Sequence, residues 1–131
     1  MKLTPLQAYA AMQLFLEDYF QKTSSDSLGS LLGSMSFLED GHTADPALWE
    51  DWTEAVNYQE CLTALQAFVA MNLFLQNYYG DNYPSVTIKK IFTDTEVLPT
   101  GNLRNQSVWE WWMRCIELNP PIGMLKLQER E

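Results

Sequence analysis

Basic residues are scarce at the start of this chain. Residues 1–60 carry only Lys2 and Lys22 against ten carboxylates, whereas residues 61–131 set six bases against seven acids. The formal net charge of −9 therefore sits almost entirely in the first half. Such a field repels nucleic acid and anionic membrane and attracts a basic partner, so neither of the first two is expected to bind. Cysteine is nearly missing: Cys61 and Cys115 stand at unmatched places in the two halves, which argues against a shared disulfide or metal site and for a reducing cytoplasm. No apolar run approaches the ~18 to 20 residues of a membrane span. Only Lys2 precedes the first apolar stretch and no small-residue cleavage site follows it, so a secretory leader is not expected. There is one histidine, and there is no Gly-rich phosphate loop, HExxH or CxxC signature.

What is present is apolar and repetitive. Hydrophobic residues make up 47 %, with five Trp, six Tyr and six Phe, enough for a real core in one domain of 131 residues. Leu3 to Tyr19 reads LTPLQAYAAMQLFLEDY and Leu62 to Tyr78 reads LTALQAFVAMNLFLQNY, eleven of seventeen positions being identical. Further on, Gly41 matches Gly101, Trp49 matches Trp109, Glu50 matches Glu110 and Trp52 matches Trp112. The pattern is that of a tandem duplication of a unit of about sixty residues. One unit spans 1–60 and the other 61–120, with a tail over 121–131, all in a single domain.

Each unit opens with a strong amphipathic helix. Thr4 can cap and Pro5 suits the first helical position. Ala8, Ala11, Met12, Phe15, Leu16 and Tyr19 then fill one arc, repeated by Ala67, Ala70, Met71, Phe74, Leu75 and Tyr78. The two arcs are expected to face each other. Leu28, Leu31, Leu32 and Met35 have helical spacing, but their counterpart over residues 86–92, Val-Thr-Ile-Lys-Lys-Ile-Phe, fits helix or strand. Asp45-Pro46 starts a third helix running to about Val56, whose counterpart covers about Ser107 to Leu118 before Asn119-Pro120-Pro121 stops it. The expected fold is all-α, with about six helices from two repeats in one bundle.

The paired tryptophans, Trp49 with Trp52 and Trp109 with Trp112, read as core. Glu50, Asp51 and Glu54 fall within roughly 100° of helical arc on the side opposite Trp49, Trp52 and Val56. Their matches are Glu110, Trp111 and Arg114, so the fold does not require three carboxylates there. Glu39, Asp40 and Asp45 extend the patch, Asp45 also serving as a helix cap. Trp111, matched to Asp51, is either exposed to a partner or covered by the tail. The partner-binding candidates are thus Glu39, Asp40, Asp45, Glu50, Asp51, Glu54 and Trp111. Enzymatic chemistry is not expected. His42 lies in a loop and is matched by Asn102, and the carboxylates share an exposed face with no desolvated pocket to shift their protonation. No cofactor or metal is expected either, since no His or Asp/Asn loop completes a cation site.

The segments LGSLLGSM (Leu28 to Met35) and ADPALWEDW (Ala44 to Trp52), behind the apolar first helix, resemble small bacterial immunity proteins encoded beside polymorphic toxins. The likeness is to those of contact-dependent growth inhibition systems and covers residues 3–56. The second half departs from it at Lys89-Lys90 and Asn105-Gln106. The resemblance implies a cytoplasmic, non-enzymatic inhibitor bound to the C-terminal domain of a cognate toxin, commonly a nuclease; the chain is expected to be a monomer or a weak homodimer. An adaptor or secretion chaperone holding an apolar peptide between the two units is the alternative, and a small carboxylate hydrolase the third reading.

Overall fold

The computed structural model describes residues 2–37, 43–80 and 85–118, among which the backbone forms six helices. They are α1 (Pro5–Thr23), α2 (Asp26–Met35), α3 (Pro46–Ala55), α4 (Ala64–Tyr79), α5 (Val86–Asp94) and α6 (Gln106–Glu117). The chain is all-α, as its periodicity predicts, and the described residues hold only isolated bridges in place of strands.

Each helix begins for a local reason. Thr4 Oγ1 accepts from the Gln7 N–H at 3.1 Å while Gln7 Oε1 accepts from the Thr4 N–H at 2.9 Å. Thr63 and Gln66 form the same reciprocal pair at α4, at 3.0 and 2.8 Å. Ser25, Asp45, Ser85 and Asn105 cap the remaining four. Each cap satisfies a backbone donor left free by the first turn, and its loss costs about 1 kcal/mol.

Residues 86–92, open to either reading in the sequence, are helical. In α5 the residues Ile88, Ile91 and Phe92 share the buried face, while Lys89, Lys90 and Val86 are exposed. Strand alternation would instead place Lys90 on the same side as Ile88 and Phe92. Burying an ammonium costs far more than the few tenths of a kcal/mol by which β-branched residues disfavour a helix, so the helix wins.

The bundle is closed by exchange. The closest pairings are α6 along α1 and α3 along α4, so the third helix of each half covers the first helix of the other. The expectation that the arcs of α1 and α4 face each other is therefore met only in part. The two helices touch, but the bulk of each arc packs on the other half's tryptophan helix. Across the halves, Phe15 of α1 meets Trp112 of α6 at 5.8 Å and Phe74 of α4 meets Trp52 of α3 at 5.7 Å, both edge-to-face. Within each half, Trp52 and Trp112 are fully buried, and each must satisfy an indole N–H. Trp52 donates to the Pro5 carbonyl at 2.9 Å and Trp112 to the Ala64 carbonyl at 3.0 Å, using acceptors in the first turns of α1 and α4. Leu3 and Leu62 exchange both backbone hydrogen bonds at 2.8 Å, drawing those two first turns together. Phe15, Phe68, Phe74 and Tyr9 fill the centre, in edge-to-face contact with the tryptophans. In the α1–α2 corner a Cβ on Gly29 would lie 2.9 Å from Phe20 Cε1, so glycine lets the ring lie against the helix. No helix among the described residues is long and apolar enough to cross a membrane.

Candidate functional site

Helix α3 separates its residues cleanly. Leu48, Trp52 and Val56 recur every four residues and are buried, and Trp49 is half-buried against Tyr9 with ring centroids 5.3 Å apart. Glu50, Asp51 and Glu54 point the other way and are exposed. Among the described residues the ion pairs lie elsewhere: Lys22 with Asp18 at 3.0 Å, Lys90 with Asp94 at 3.1 Å, and Arg104 with Glu96 at 2.6 Å. No Lys or Arg occurs in the sequence between Lys22 and Lys89, so α2 and α3 contribute acids with no neutralising base of their own, and α4 carries no charge. The three carboxylates form the exposed, uncompensated patch expected of them.

The other candidates separate from this group. Asp45 is half-buried and commits Oδ1 to the Ala47 N–H at 3.0 Å, so its carboxylate serves the start of α3. Glu39 and Asp40, together with His42, lie outside the described residues. Trp111 is half-buried, and its indole N–H is enclosed without a hydrogen-bond partner. It lines a cavity of about 490 Å³ against Asp18, Tyr19, Lys22, Lys90 and Asp94. None of the α3 acids reaches that cavity, so the structure does not bring Trp111 to the acidic face. In the cavity wall Tyr19 donates to Asp94 Oδ2 at 2.9 Å, and burial, reinforced by this bond and the Asp94 charge, holds the phenol protonated far above the usual tyrosine range. With two lysines and two aspartates on its walls, this second region is charge-balanced.

Beside the acidic face lies a feature that helical periodicity alone does not reveal. Leu65, Val69 and Leu73 form a stripe on the outer side of α4 and are 43, 47 and 45 % exposed. With Val56 and Leu62 they line an apolar groove of about 340 Å³ between α4 and the end of α3. The matched residues of α1 are Leu6, Ala10 and Leu14, of which Ala10 is buried and the leucines half-buried. Comparing the two first helices gives the available signal. Glu17 and Asp18 of α1 become Gln76 and Asn77, leaving α4 with no charged residue. A helix apolar on both sides is normally enclosed, and this one is not.

Between the groove and the patch the chain turns sharply. The Asn57 N–H donates to the Glu54 carbonyl at 2.8 Å and the Tyr58 N–H to the Thr53 carbonyl at 2.9 Å. This is a Schellman closure, with Asn57 in the left-handed position at φ 57°. Tyr58 is also left-handed at φ 57° and leaves its ring 67 % exposed. A bulky residue there carries strain of order 1–2 kcal/mol. Among the described residues no three His, Cys, Asp or Glu side chains gather in a way that holds a metal ion. What the described residues of this face present is an acidic ridge, an apolar groove and an exposed aromatic. Comparison with protein families, with curated proteins and with solved structures finds no match to this chain.

Proposed function

We propose that the protein is a non-enzymatic immunity protein of the cytoplasm. In this reading it binds the C-terminal domain of a cognate toxin, probed first as a nuclease, and covers that domain's basic substrate surface. The observation that carries the reading is the exposed, base-free carboxylate face Glu50, Asp51 and Glu54 on α3. A nuclease needs a basic groove for its substrate, and an inhibitor presenting carboxylates competes for the same field while accelerating encounter. The resemblance of residues 3–56 to toxin-linked immunity proteins supplies the biological setting.

The test is direct. The domain encoded beside this chain is produced with it, the complex is isolated, and activity on tRNA and DNA is measured with and without the inhibitor. Reversing Glu50, Asp51 and Glu54 together to Lys is expected to slow association at least ~tenfold at low salt, with unchanged helical circular dichroism. Undiminished association by the triple variant refutes the assignment of the face. The adaptor reading gains support from the α4 groove, and it differs in outcome: binding of an apolar peptide would be insensitive to salt and to the charge reversal.

A further inference from the structure

We infer that the groove between α3 and α4 is the apolar centre of the contact surface, and that its occupant is a basic protein presenting one or two apolar side chains flanked by Lys or Arg. The inference rests on the reading of the α3 face as the partner's side and adds what fills the space next to it. Leu65, Val69 and Leu73 recur every four residues, so they present one continuous ridge, and about 340 Å³ beside it admits one or two large apolar side chains. Interfaces are organised in this way, with a desolvated apolar centre and a polar rim.

The charge around the groove selects among occupants. Glu54 precedes the lining residues Val56 and Asn57, and Glu60 stands between the lining residues Gln59 and Leu62. Both are exposed, and no base lies on α3, on α4 or in the turn joining them. A second copy of this chain would bring Glu54 and Glu60 against like charges across a two-fold contact, on molecules each carrying −9. A basic partner meets the same carboxylates with complementary charge. Tyr58 stands between the lining residues Asn57 and Gln59. Its left-handed backbone opposes stability while holding an aromatic ring in solvent at the groove's edge, and tyrosine is a preferred anchor at interfaces.

The experiment uses the full chain and a synthetic amphipathic helical peptide with Leu on one face and Lys on the other. A control peptide carries Glu in place of Lys. Titration followed by amide NMR is expected to perturb Tyr58, Leu65, Val69 and Leu73 with the Lys peptide and to show no binding of the Glu peptide. V69D is expected to weaken the Lys peptide at least ~tenfold. That variant adds a negative charge, so a loss can only come from the apolar contact. Tyr58→Gly is expected to weaken binding severalfold while raising the melting midpoint, because glycine relieves the left-handed strain. Equal binding by V69D, perturbation centred on the Trp111 cavity, or a dimer of the free protein that V69D dissociates overturns the inference. The peptide measurement needs no toxin. A groove that binds beside a harmless neighbouring domain defeats the proposed function alone, and a silent groove beside a neutralised toxin defeats this inference alone.

Discussion

Tyr9 carries a hydroxyl that the fold does not use. The residue is fully buried, its oxygen has no hydrogen-bond partner, and burial, then the Asp45 charge, raises its pKa well above the usual tyrosine range. The position matched to it is Phe68, also buried, which makes the same kind of contact: Phe68 meets Trp109 at 5.2 Å and Trp112 at 5.9 Å, as Tyr9 meets Trp49 at 5.3 Å and Trp52 at 6.1 Å. Phenylalanine therefore fits this niche. Burying a hydroxyl without a partner costs about 1–3 kcal/mol in proteins. The oxygen-sized void left by its removal returns a few tenths of a kcal/mol at about 24 cal/mol per Å³. Tyr9→Phe is thus expected to stabilise the chain by about 1 kcal/mol, a rise of roughly 3–4 °C in midpoint for a domain of this size. The converse variant Phe68→Tyr places an unpaired hydroxyl in the core and is expected to destabilise by about 1–3 kcal/mol. Urea unfolding followed by tryptophan fluorescence, with m-values held equal, measures both. A Tyr9→Phe protein weaker by 1 kcal/mol or more would show that a bound water satisfies the hydroxyl, and the reasoning from an orphaned donor would fall.

The remaining predictions concern protons and thiols. Cys61 is exposed and Cys115 fully buried, its thiol pushed up to about 12 by burial and, secondarily, by Asp18. A disulfide reagent at pH 8 is expected to titrate one thiol in the native protein and a second only in denaturant; rapid reaction of both would contradict the burial of α6. Cys115, Tyr9, Tyr19 and Tyr79 all hold their protons more tightly folded than unfolded. Stability is therefore fully present below about pH 8 and falls as pH rises through the unfolded values of ~8.5 to 10, where the unfolded chain binds fewer protons. Cys115 and Tyr9, both without exposure, contribute most, each at a slope approaching about 1.4 kcal/mol per pH unit, and Tyr9→Phe is expected to flatten that alkaline loss. A stability curve level to pH 11 would refute the assignment.

What the sequence made legible was whatever depends on neighbours along the chain. Thr4 with Pro5 and Asp45 with Pro46 announce helix starts because caps act within three residues. The inward side of α3 follows from Leu48, Trp52 and Val56 at steps of four, and the outward acids follow with it. Residues 86–92 were ambiguous because β-branched content and helical spacing disagree, and only the location of Lys90 relative to the core decides between them. The exchange of α3 and α6 between halves rests on ring contacts between residues of different halves, Phe15 with Trp112 and Trp52 with Phe74, and local pattern does not encode those. The sequence leaves the placement of Trp111 open for the same reason, its surroundings coming from α1 and α5. The α4 ridge is not legible in the sequence because its residues have the composition of core, and exposure is a property of what fails to cover them.

Three features of the α3–α4 face work against the stability of the free chain. Glu50 and Glu54 repel at one helical turn, Tyr58 occupies a left-handed backbone, and Leu65, Val69 and Leu73 remain in water. Neither the pair of acids nor Val69 is kept at the matched positions, which hold Glu110 and Arg114, of opposite sign at the same spacing, and a small Ala10 where Val69 stands. A sequence that specifies its fold consistently at most positions and departs from that consistency at neighbouring ones does so where a constraint other than folding applies. Around Trp111 the charges are matched instead, Lys22 with Asp18 and Lys90 with Asp94, and Tyr19 has its acceptor, although the Trp111 indole N–H is enclosed without a partner. The α3–α4 features are of a kind that apolar contact together with positive charge would relieve, and that is the physical ground for the proposal that a basic protein covers the groove and the ridge of acids.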